Sequence, residues 1–201
     1  MDKSLAASEI LQQALPLVPF EGWTMGVLQK AAVAAGYKKS DAIRVFPGGA
    51  LQAVDVFFRE ADAAMQQMAQ HYHLESMKIR ERITLLVRLR LEAVAPHREA
   101  LRKALALYAM PFHLPQGLAS LYRTVDDIWY LAGDQSTDFN FYTKRALLAG
   151  VYSSTLLVFL DDRSPGFEAS WGFLSRRIEQ VMLIEKAKHR LKGWAARAYS
   201  L

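Results

Sequence analysis

The 201-residue sequence contains no cysteine. Disulfides, thiolate metal sites and thiol nucleophiles are therefore excluded together, and the composition fits a reducing compartment such as the cytoplasm. The sequence also lacks a run of about eighteen uncharged apolar residues, so we expect no segment to span a bilayer. Residues 1–17 do not have the basic end and apolar stretch of a secretory signal. These absences predict a protein that is soluble or peripheral to a membrane.

The sequence motifs of common enzyme and metal sites are absent as well. The chain has no His-Glu-x-x-His, no pair of Glu-x-x-His motifs as in di-iron bundles, no Gly-x-Ser-x-Gly and no glycine loop for phosphate. Its five histidines show no spacing that suits metal ligands. We therefore predict a binding protein that is not an enzyme, with no catalytic residue, no metal site and no cofactor.

Acidic residues are absent from the end of the chain, where basic residues accumulate. Residues 186–201 hold five Lys and Arg side chains and no acid, which accounts for the whole net charge of +5. Residues 1–185 carry 20 basic and 20 acidic groups and are formally neutral. The body of the protein is therefore not expected to generate the positive field that concentrates nucleic acid.

Apolar residues recur at spacings of three and four along nearly the whole chain, and alternating patterns are scarce. This periodicity predicts an all-α fold of about ten helices. The predicted helices span residues 4–17, 23–35, 41–46, 50–71, 76–95, 97–108, 111–132, 138–160 and 165–184, followed by the basic tail. Gly36 is expected to end the second helix in the left-handed conformation. An internal boundary is predicted near residues 70–76.

Residues 20–51 have the pattern of two short helices about a glycine turn, followed by Phe-Pro-Gly. The stretch resembles the DNA-binding head of the TetR family, in which a Thr opens the first helix and an Ala-Gly turn closes it. The matching positions are Thr24, Ala35, Gly36 and Phe46. The resemblance implies a helix-turn-helix head over residues 1–72.

The departures from the TetR pattern fall where DNA would be contacted. Ile43 and Val45 replace aromatic residues, and Gly49 replaces a Lys expected to contact a phosphate. Three basic side chains remain between residues 38 and 44, but a specific reader needs several backbone cations and base-edge donors on one helix. Two interpretations stay open, a scaffold that has lost DNA binding and a lipid-responsive repressor. We favour the first and expect no nucleic-acid partner.

Residues 125–145, which we call the acidic aromatic block, hold four Asp and five aromatic residues around a Gly-Asp break. At helical spacing, Asp138, Phe141, Tyr142 and Arg145 share one face. One interpretation is a metal site, because Asp side chains supply the oxygens that a hard cation such as Mg²⁺ prefers. They are equally compatible with helix caps beside core aromatics, or with an exposed partner-binding patch. The residues alone do not rank these three interpretations.

The string DDIWYLAGDQSTDFNFYTKRALLAGVYSSTLLVFLDDRSPGFEASWGFLSRRI strongly resembles the signature of the coenzyme Q biosynthesis protein nine family. The similarity covers roughly residues 77–184 and agrees with the degenerate TetR head. It implies a TetR-like homodimer that binds an isoprenoid, a quinone intermediate or a phospholipid. It also implies that the protein presents quinone intermediates to a di-iron demethoxyubiquinone hydroxylase. From it we expect a bacterial cytoplasmic protein that is peripheral on the inner membrane.

The resemblance also assigns residues to the hydroxylase-binding surface. This predicted surface comprises Ile128, Trp129, Asp138, Phe141, Tyr142 and Arg145. Phe141 stands where the family commonly has Trp. The substitution keeps an apolar anchor but removes the indole N–H, which puts one hydrogen bond to the partner in doubt.

The helices after residue 76 carry more apolar residues than one buried stripe requires. Such a surplus fits a core, a dimer contact or a lipid cavity, and the residues alone leave these open. The resemblance favours a cavity together with a dimer contact, in a C-terminal domain over residues 73–184. The predicted lipid-binding residues are Leu147, Val151, Tyr152, Leu156 and Trp171.

Residues 185–201 have the pattern of a basic amphipathic helix, with apolar residues on one broad face and cations on the other. The pattern is typical of helices that lie in a membrane interface. A packed final helix and a nucleic-acid-binding tail are the alternatives, and the family resemblance supports the membrane. The predicted membrane-binding residues are Ile184, Lys188, Leu191, Lys192 and Trp194.

Overall fold

The computed structural model describes residues 2–134 and 139–181, and all regular structure in these ranges is helical. The helices are α1 Lys3–Ala14, α2 Val18–Glu21, α3 Met25–Ala34, α4 Asp41–Val45, α5 Gly49–Ala69, α6 Ile79–Val94, α7 Arg98–Tyr108, α8 Leu114–Leu131, α9 Phe139–Asp161 and α10 over residues 168–181. Short 3-10 turns lie at Leu74–Ser76, Ala95–His97 and Pro165–Phe167. The prediction of an all-α fold is confirmed.

The helix-turn-helix head forms as its local signals indicate. The Thr24 hydroxyl accepts a hydrogen bond from the Val27 amide at 3.2 Å and so caps the start of α3. Gly36 follows α3 with φ of +84°, a conformation that glycine adopts without steric cost. Phe46, directly after α4, is fully buried in the core of the head. The predicted start and end of α3 are therefore confirmed by its capping geometry.

The long helix α5 connects the head to the rest of the chain. It packs against α1 and α3 on the head side and against α6 and α8 on the other. The Trp23 indole N–H, at the start of the head, donates a hydrogen bond to the Ala100 carbonyl oxygen of α7 at 3.0 Å. One hydrophobic core runs through all these helices. The division into domains at residue 72 stays a prediction.

A buried polar cluster joins α5, α6 and α8. The Asp62 carboxylate accepts hydrogen bonds from Arg90 Nε at 2.6 Å and from Thr124 Oγ1 at 2.8 Å. Arg90 is fully buried and Asp62 is 3% exposed. Several arginines lie along α6, and the structure pairs one of them, Arg90, with an acid inside the core. Ile79, at the start of α6, is 44% exposed.

The connection from α9 to α10 is held by one carboxylate. Asp162 accepts hydrogen bonds from the backbone amides of Ser164 and Ser170, both at 2.8 Å. Next to it, Phe159 packs against Phe167 with ring centroids 4.8 Å apart. These contacts place α10 against α9. Within the described residues, every helix is too short or too polar to cross a membrane.

Candidate functional site

Arg145 on α9 is the centre of the described part of the acidic aromatic block. Its Nε donates to Asp126 Oδ1 at 2.6 Å, and its Nη1 donates to Asp134 Oδ2 at 3.3 Å. Its side chain is only 6% exposed. The guanidinium therefore joins the beginning of α9 to the end of α8, and the planar fork of Arg suits this double pairing.

The neighbouring Lys144 reinforces the same connection. Its Nζ donates to Asp134 Oδ1 at 2.7 Å and lies 5.5 Å from the centroid of the Trp129 ring. Asp134 is 5% exposed and is paired with two cations, Lys144 and Arg145. The two basic side chains thus offset the charge of a buried carboxylate and hold it beside an aromatic ring.

One aromatic ring covers Arg145, and a second aromatic residue packs against the first. The guanidinium carbon of Arg145 lies 3.3 Å from the centroid of the Phe141 ring. Tyr142 meets Phe141 edge-on, with ring centroids 5.2 Å apart, and is 67% exposed. A surface aromatic pair resting on a buried cation is therefore held in a fixed orientation.

The predicted hydroxylase-binding residues lie at different depths. Tyr142 is exposed, Phe141 and Trp129 are half-buried, and Arg145 is buried. Ile128 is fully buried in the core, so it supports the surface from beneath. Asp138 lies outside the described residues. The assignment of this set to a partner contact stays a prediction.

A cavity of about 360 Å³, which we call the first cavity, opens beside the block. Its apolar wall is formed by Ile79, Ile83, Leu147, Leu148, Val151, Ile178 and Val181. Its polar edge includes Asp134 and Lys144, and Trp129 lines it as well. The Trp129 indole N–H is buried and has no hydrogen-bond partner. The first cavity is thus an apolar pocket with charged groups in part of its lining.

A second cavity of about 260 Å³ lies between α5, α7, α8 and α9. The predicted lipid-binding residues are divided between the two cavities. Leu147 and Val151 line the first cavity, whereas Tyr152 and Leu156 line the second.

Trp171, also predicted to bind lipid, lines neither cavity. It stacks on Phe159 with ring centroids 6.0 Å apart, and Arg88 lies 5.2 Å above it. The lipid-binding role of the predicted set as a whole remains a prediction.

Several residues that line the first cavity were not among the residues predicted from the sequence to bind lipid. Ile79, Ile178 and Val181 come from α6 and α10, far in sequence from α9. Their helical spacing signals only a buried stripe, because periodicity does not say which helix packs opposite. The exposure of Ile79 at the start of α6 is explained by its position at the cavity.

Two titratable groups near the cavities have shifted pKa values. Burial raises the pKa of Asp127, and the nearby carboxylates of Asp62 and Asp126 raise it further. Burial also raises the pKa of Tyr152, against the opposing effect of Arg90. Among the described residues, no group of three or more His, Asp or Glu side chains is placed to hold a metal ion.

The predicted membrane-binding residues lie outside the described residues. These are Ile184, Lys188, Leu191, Lys192 and Trp194. The amphipathic tail of residues 185–201 therefore stays a prediction from sequence, as does the homodimer.

Comparison with known proteins identifies relatives over nearly the whole chain. The sequence model of the COQ9 family matches residues 114–185. The mitochondrial ubiquinone biosynthesis protein COQ9 of Rattus norvegicus is 37% identical over 191 residues, covering 92% of this chain and 61% of the rat protein. The human protein of the same name is 35% identical, with 92% and 60% covered. The chain thus spans about three fifths of the length of these mammalian relatives.

A shorter relative and a solved structure extend the comparison. The mitochondrial ubiquinone biosynthesis protein coq9 of Schizosaccharomyces pombe is 30% identical, and the match covers 93% of this chain and 74% of the yeast protein. The crystal structure of a TetR transcriptional regulator from Nitrosomonas europaea superposes with a TM-score of 0.71 at 18% identity. That superposition covers 87% of this chain and 96% of the regulator. The predicted TetR-like fold is confirmed, and identity this low shows the fold alone.

These relatives contradict the predicted location and confirm the predicted family. The predicted location, the bacterial cytoplasm with attachment to the inner membrane, is wrong, because the rat, human and yeast relatives are mitochondrial proteins of eukaryotes. The resemblance noted in the acidic aromatic block is confirmed by similarity over 93% of the chain and by the matching family model. The chain belongs to the COQ9 family of ubiquinone biosynthesis proteins.

Proposed function

We propose that this protein is an accessory protein of ubiquinone biosynthesis that binds a prenylated quinone intermediate and presents it to a di-iron hydroxylase. The reaction belongs to the iron of the partner, and this chain contributes binding only. One observation carries the proposal. The first cavity and the acidic aromatic block share Trp129, Asp134 and Lys144, so a molecule in the cavity lies directly beside the surface on which the partner would dock.

The walls of the first cavity suit an isoprenoid chain. Ile83, Leu148 and Ile178, from three different helices, form an aliphatic lining of the kind that removes apolar surface from water. The volume of about 360 Å³ is within the range of small-molecule pockets. A prenyl segment fits here without any polar partner.

The polar edge of the first cavity suits the ring of a quinone. The unused Trp129 indole N–H is a donor that costs free energy while it stays buried and unpaired. Binding would have to turn the indole towards the cavity for a ring carbonyl or methoxy oxygen to accept from it. Lys144 lies over the same indole ring and provides a positive charge at this edge. The proposed guest therefore has an acceptor-bearing head and an apolar tail.

The exposed aromatic pair suits a protein partner. Arg145 holds the Phe141 ring from beneath, and Tyr142 packs edge-on against Phe141, so less conformational entropy would be lost when a partner covers them. Aromatic residues next to an acidic rim are enriched at the energetic centres of interfaces. In this arrangement Tyr142 and Phe141 contact the hydroxylase directly. Ile128 and Arg145 are buried and support this surface from beneath.

Native mass spectrometry of the full chain purified from membranes tests the choice of cavity. Val151→Trp fills the first cavity and is expected to abolish the bound prenylated quinone. Leu156→Trp places the same side chain in the second cavity and serves as the matched control, expected to keep the ligand. Thermal unfolding checks that both variants fold. If only Leu156→Trp lost the ligand, the ligand would be assigned to the second cavity. If both variants kept it, the proposed site would be refuted.

A double substitution tests the docking surface. Phe141→Ala with Tyr142→Ala is expected to weaken hydroxylase binding by at least about thirtyfold, because residues at interface centres each contribute about 2 kcal/mol or more. The variant should retain its bound lipid, since neither side chain lines the first cavity. Unchanged hydroxylase affinity and unchanged quinone production would contradict the assignment of this surface.

The alternative is a lipid-responsive DNA-binding repressor, which the TetR-like head with its capped α3 favours. Against it, Ile43 is an exposed apolar residue on α4, and Arg44 is 3.4 Å from Asp41 in an ion pair. A repressor would bind a palindromic operator with a steep salt dependence. Salt-dependent retention on genomic DNA fragments selected in vitro would support the repressor over the accessory protein.

A further inference from the structure

Residues 109–118, the loop between α7 and α8 together with the first turn of α8, are the most apolar exposed segment among the described residues. We call it the hairpin tip. Phe112 is 91% exposed, and Met110, Leu114 and Leu118 are 51%, 47% and 57% exposed. Leu114 and Leu118 are one helical turn apart and so form a stripe with the loop. Large apolar side chains grouped in this way mark a binding surface.

The hairpin tip lies within a stretch of sequence that has no formal charge. Residues 104–122 contain no Asp, Glu, Lys or Arg. Lys103 precedes this stretch and Arg123 follows it. A protein interface normally surrounds its apolar centre with a polar and charged rim. The stretch has few polar side chains to form such a rim, whereas the hydrocarbon layer of a bilayer requires none.

The backbone of the hairpin tip has few unsatisfied donors. The amides of His113 and Leu114 both donate to the Met110 carbonyl oxygen, at 2.9 and 3.0 Å, and the Gly117 amide donates to the His113 carbonyl oxygen at 3.1 Å. Pro111 and Pro115 have no amide N–H. Because unpaired backbone groups are what makes an irregular loop costly in lipid, this loop can enter the acyl boundary at low cost.

From these three observations we propose that the hairpin tip inserts into the interface of a lipid bilayer, with Phe112 as its deepest side chain. This contact is separate from the predicted basic tail, because it uses apolar area and no cation. It also goes beyond the proposed quinone-presenting role, which would stand if the hairpin tip stayed in water. The occupant of this surface is the acyl region of the lipid and not a second copy of the chain.

Insertion can be read at a single position, because the chain has no native cysteine to react with a thiol label. A polarity-sensitive dye is attached to Phe112→Cys and, as a control, to Phe20→Cys, whose native side chain is 85% exposed on α2. On phosphatidylcholine vesicles, the dye at 112 is expected to shift to the blue and to be quenched by spin-labelled acyl chains. The dye at 20 should keep its emission in water.

A pair of matched serine variants measures the contribution to affinity. Phe112→Ser in the full chain should weaken partition onto phosphatidylcholine vesicles about tenfold, as expected from losing most of the burial of one Phe, and Phe20→Ser should change it less than about twofold. The tenfold difference should persist at high salt, since the hairpin tip carries no charge. A dye at 112 that stays in water, an equal shift at 20, or no vesicle binding by the chain would each overturn the proposal. So would a change in oligomeric mass caused by Phe112→Ser in light scattering, because it would assign the surface to a second copy.

Discussion

Asp162 is a single residue whose side chain organises the turn from α9 into α10. Besides two backbone amides, it accepts the Ser164 hydroxyl at 2.6 Å and the Ser170 hydroxyl at 2.5 Å. Burial acts to raise the pKa of Asp162, but the four hydrogen bonds favour the charged form and lower its pKa to about 2. The folded protein therefore binds this proton less readily than the unfolded chain, in which the value is 3.8.

Because folding lowers the pKa of Asp162, this residue stabilises the folded protein more at neutral pH than at acidic pH. The stabilisation from Asp162 is fully present above about pH 4 and is lost as the pH falls towards about 2. Asp162→Asn is expected to lower the free energy of unfolding by about 2 kcal/mol at pH 7, because charge-assisted hydrogen bonds are lost. The deficit should shrink below about pH 4. Urea unfolding at several pH values measures both quantities.

The neighbouring Asp161 provides the control for this prediction. Its side chain is 77% exposed and pairs with Arg102 at 2.9 Å. Asp161→Asn should cost less than about 1 kcal/mol, as is usual for exposed ion pairs. An Asp162→Asn deficit that stays constant down to pH 2 would show that the carboxylate charge is not the source of the stabilisation.

Residues whose roles are local were predictable from the sequence, and residues whose roles depend on distant partners were not. Thr24 and Gly36 act within one helical turn, so their capping and left-handed roles follow from residue type and position. Arg90 has the same charge as its neighbours on α6, and only the packing of α5 and α8 makes it a buried partner of Asp62. Nothing in the sequence spacing distinguishes it.

At the scale of elements, the Asp62–Arg90 ion pair and the hydrogen bonds to it join three helices. Asp62 of α5 is bonded to Arg90 of α6 and Thr124 of α8, and Arg123 of α8 lies 3.4 Å away. Asp62→Ala would leave the buried guanidinium without its carboxylate and should reduce the free energy of unfolding by about 3–5 kcal/mol. Chemical denaturation measures this loss.

A compensating double variant separates charge burial from packing. Asp62→Leu with Arg90→Met replaces both charges by apolar side chains and should cost less than Asp62→Ala alone, since neither charge is left unpaired. A double variant less stable than Asp62→Ala would show that the Asp62–Arg90 ion pair contributes more to stability than it costs to remove both charges from water. The hydrogen bond from Thr124 is lost in both variants and does not bias the comparison.

Most helices were predicted with ends within a few residues, and the exceptions have physical causes. α2 has only four residues and contains Pro19, so it offers no periodicity to detect. α8 begins at Leu114 and not at residue 111, because Pro115 can occupy a first helical turn whereas Pro111 lies in the loop before it. Four predicted lipid-binding residues lie on α9, yet they line two separate cavities. Which side meets which neighbour is decided by tertiary packing.

At the scale of the whole molecule, α8 separates the hairpin tip from the first cavity. The hairpin tip lies at its beginning, and Trp129, at the edge of the first cavity, lies near its end. A helix of 18 residues is about 27 Å long. Val181, the last described residue before the predicted basic tail, also lines the first cavity. The hairpin tip and Val181 therefore lie towards opposite ends of α8.

With the predicted basic tail, the hairpin tip would give the protein two linked membrane contacts. Linked contacts strengthen each other, so removing either should weaken binding more than its own affinity suggests. Deletion of residues 185–201 should leave weak binding that salt does not change. Phe112→Ser should leave binding that weakens with salt, because cations of the tail then dominate. Co-sedimentation with anionic vesicles at two salt concentrations distinguishes the variants, and identical salt dependence in both would exclude attachment at two separate points.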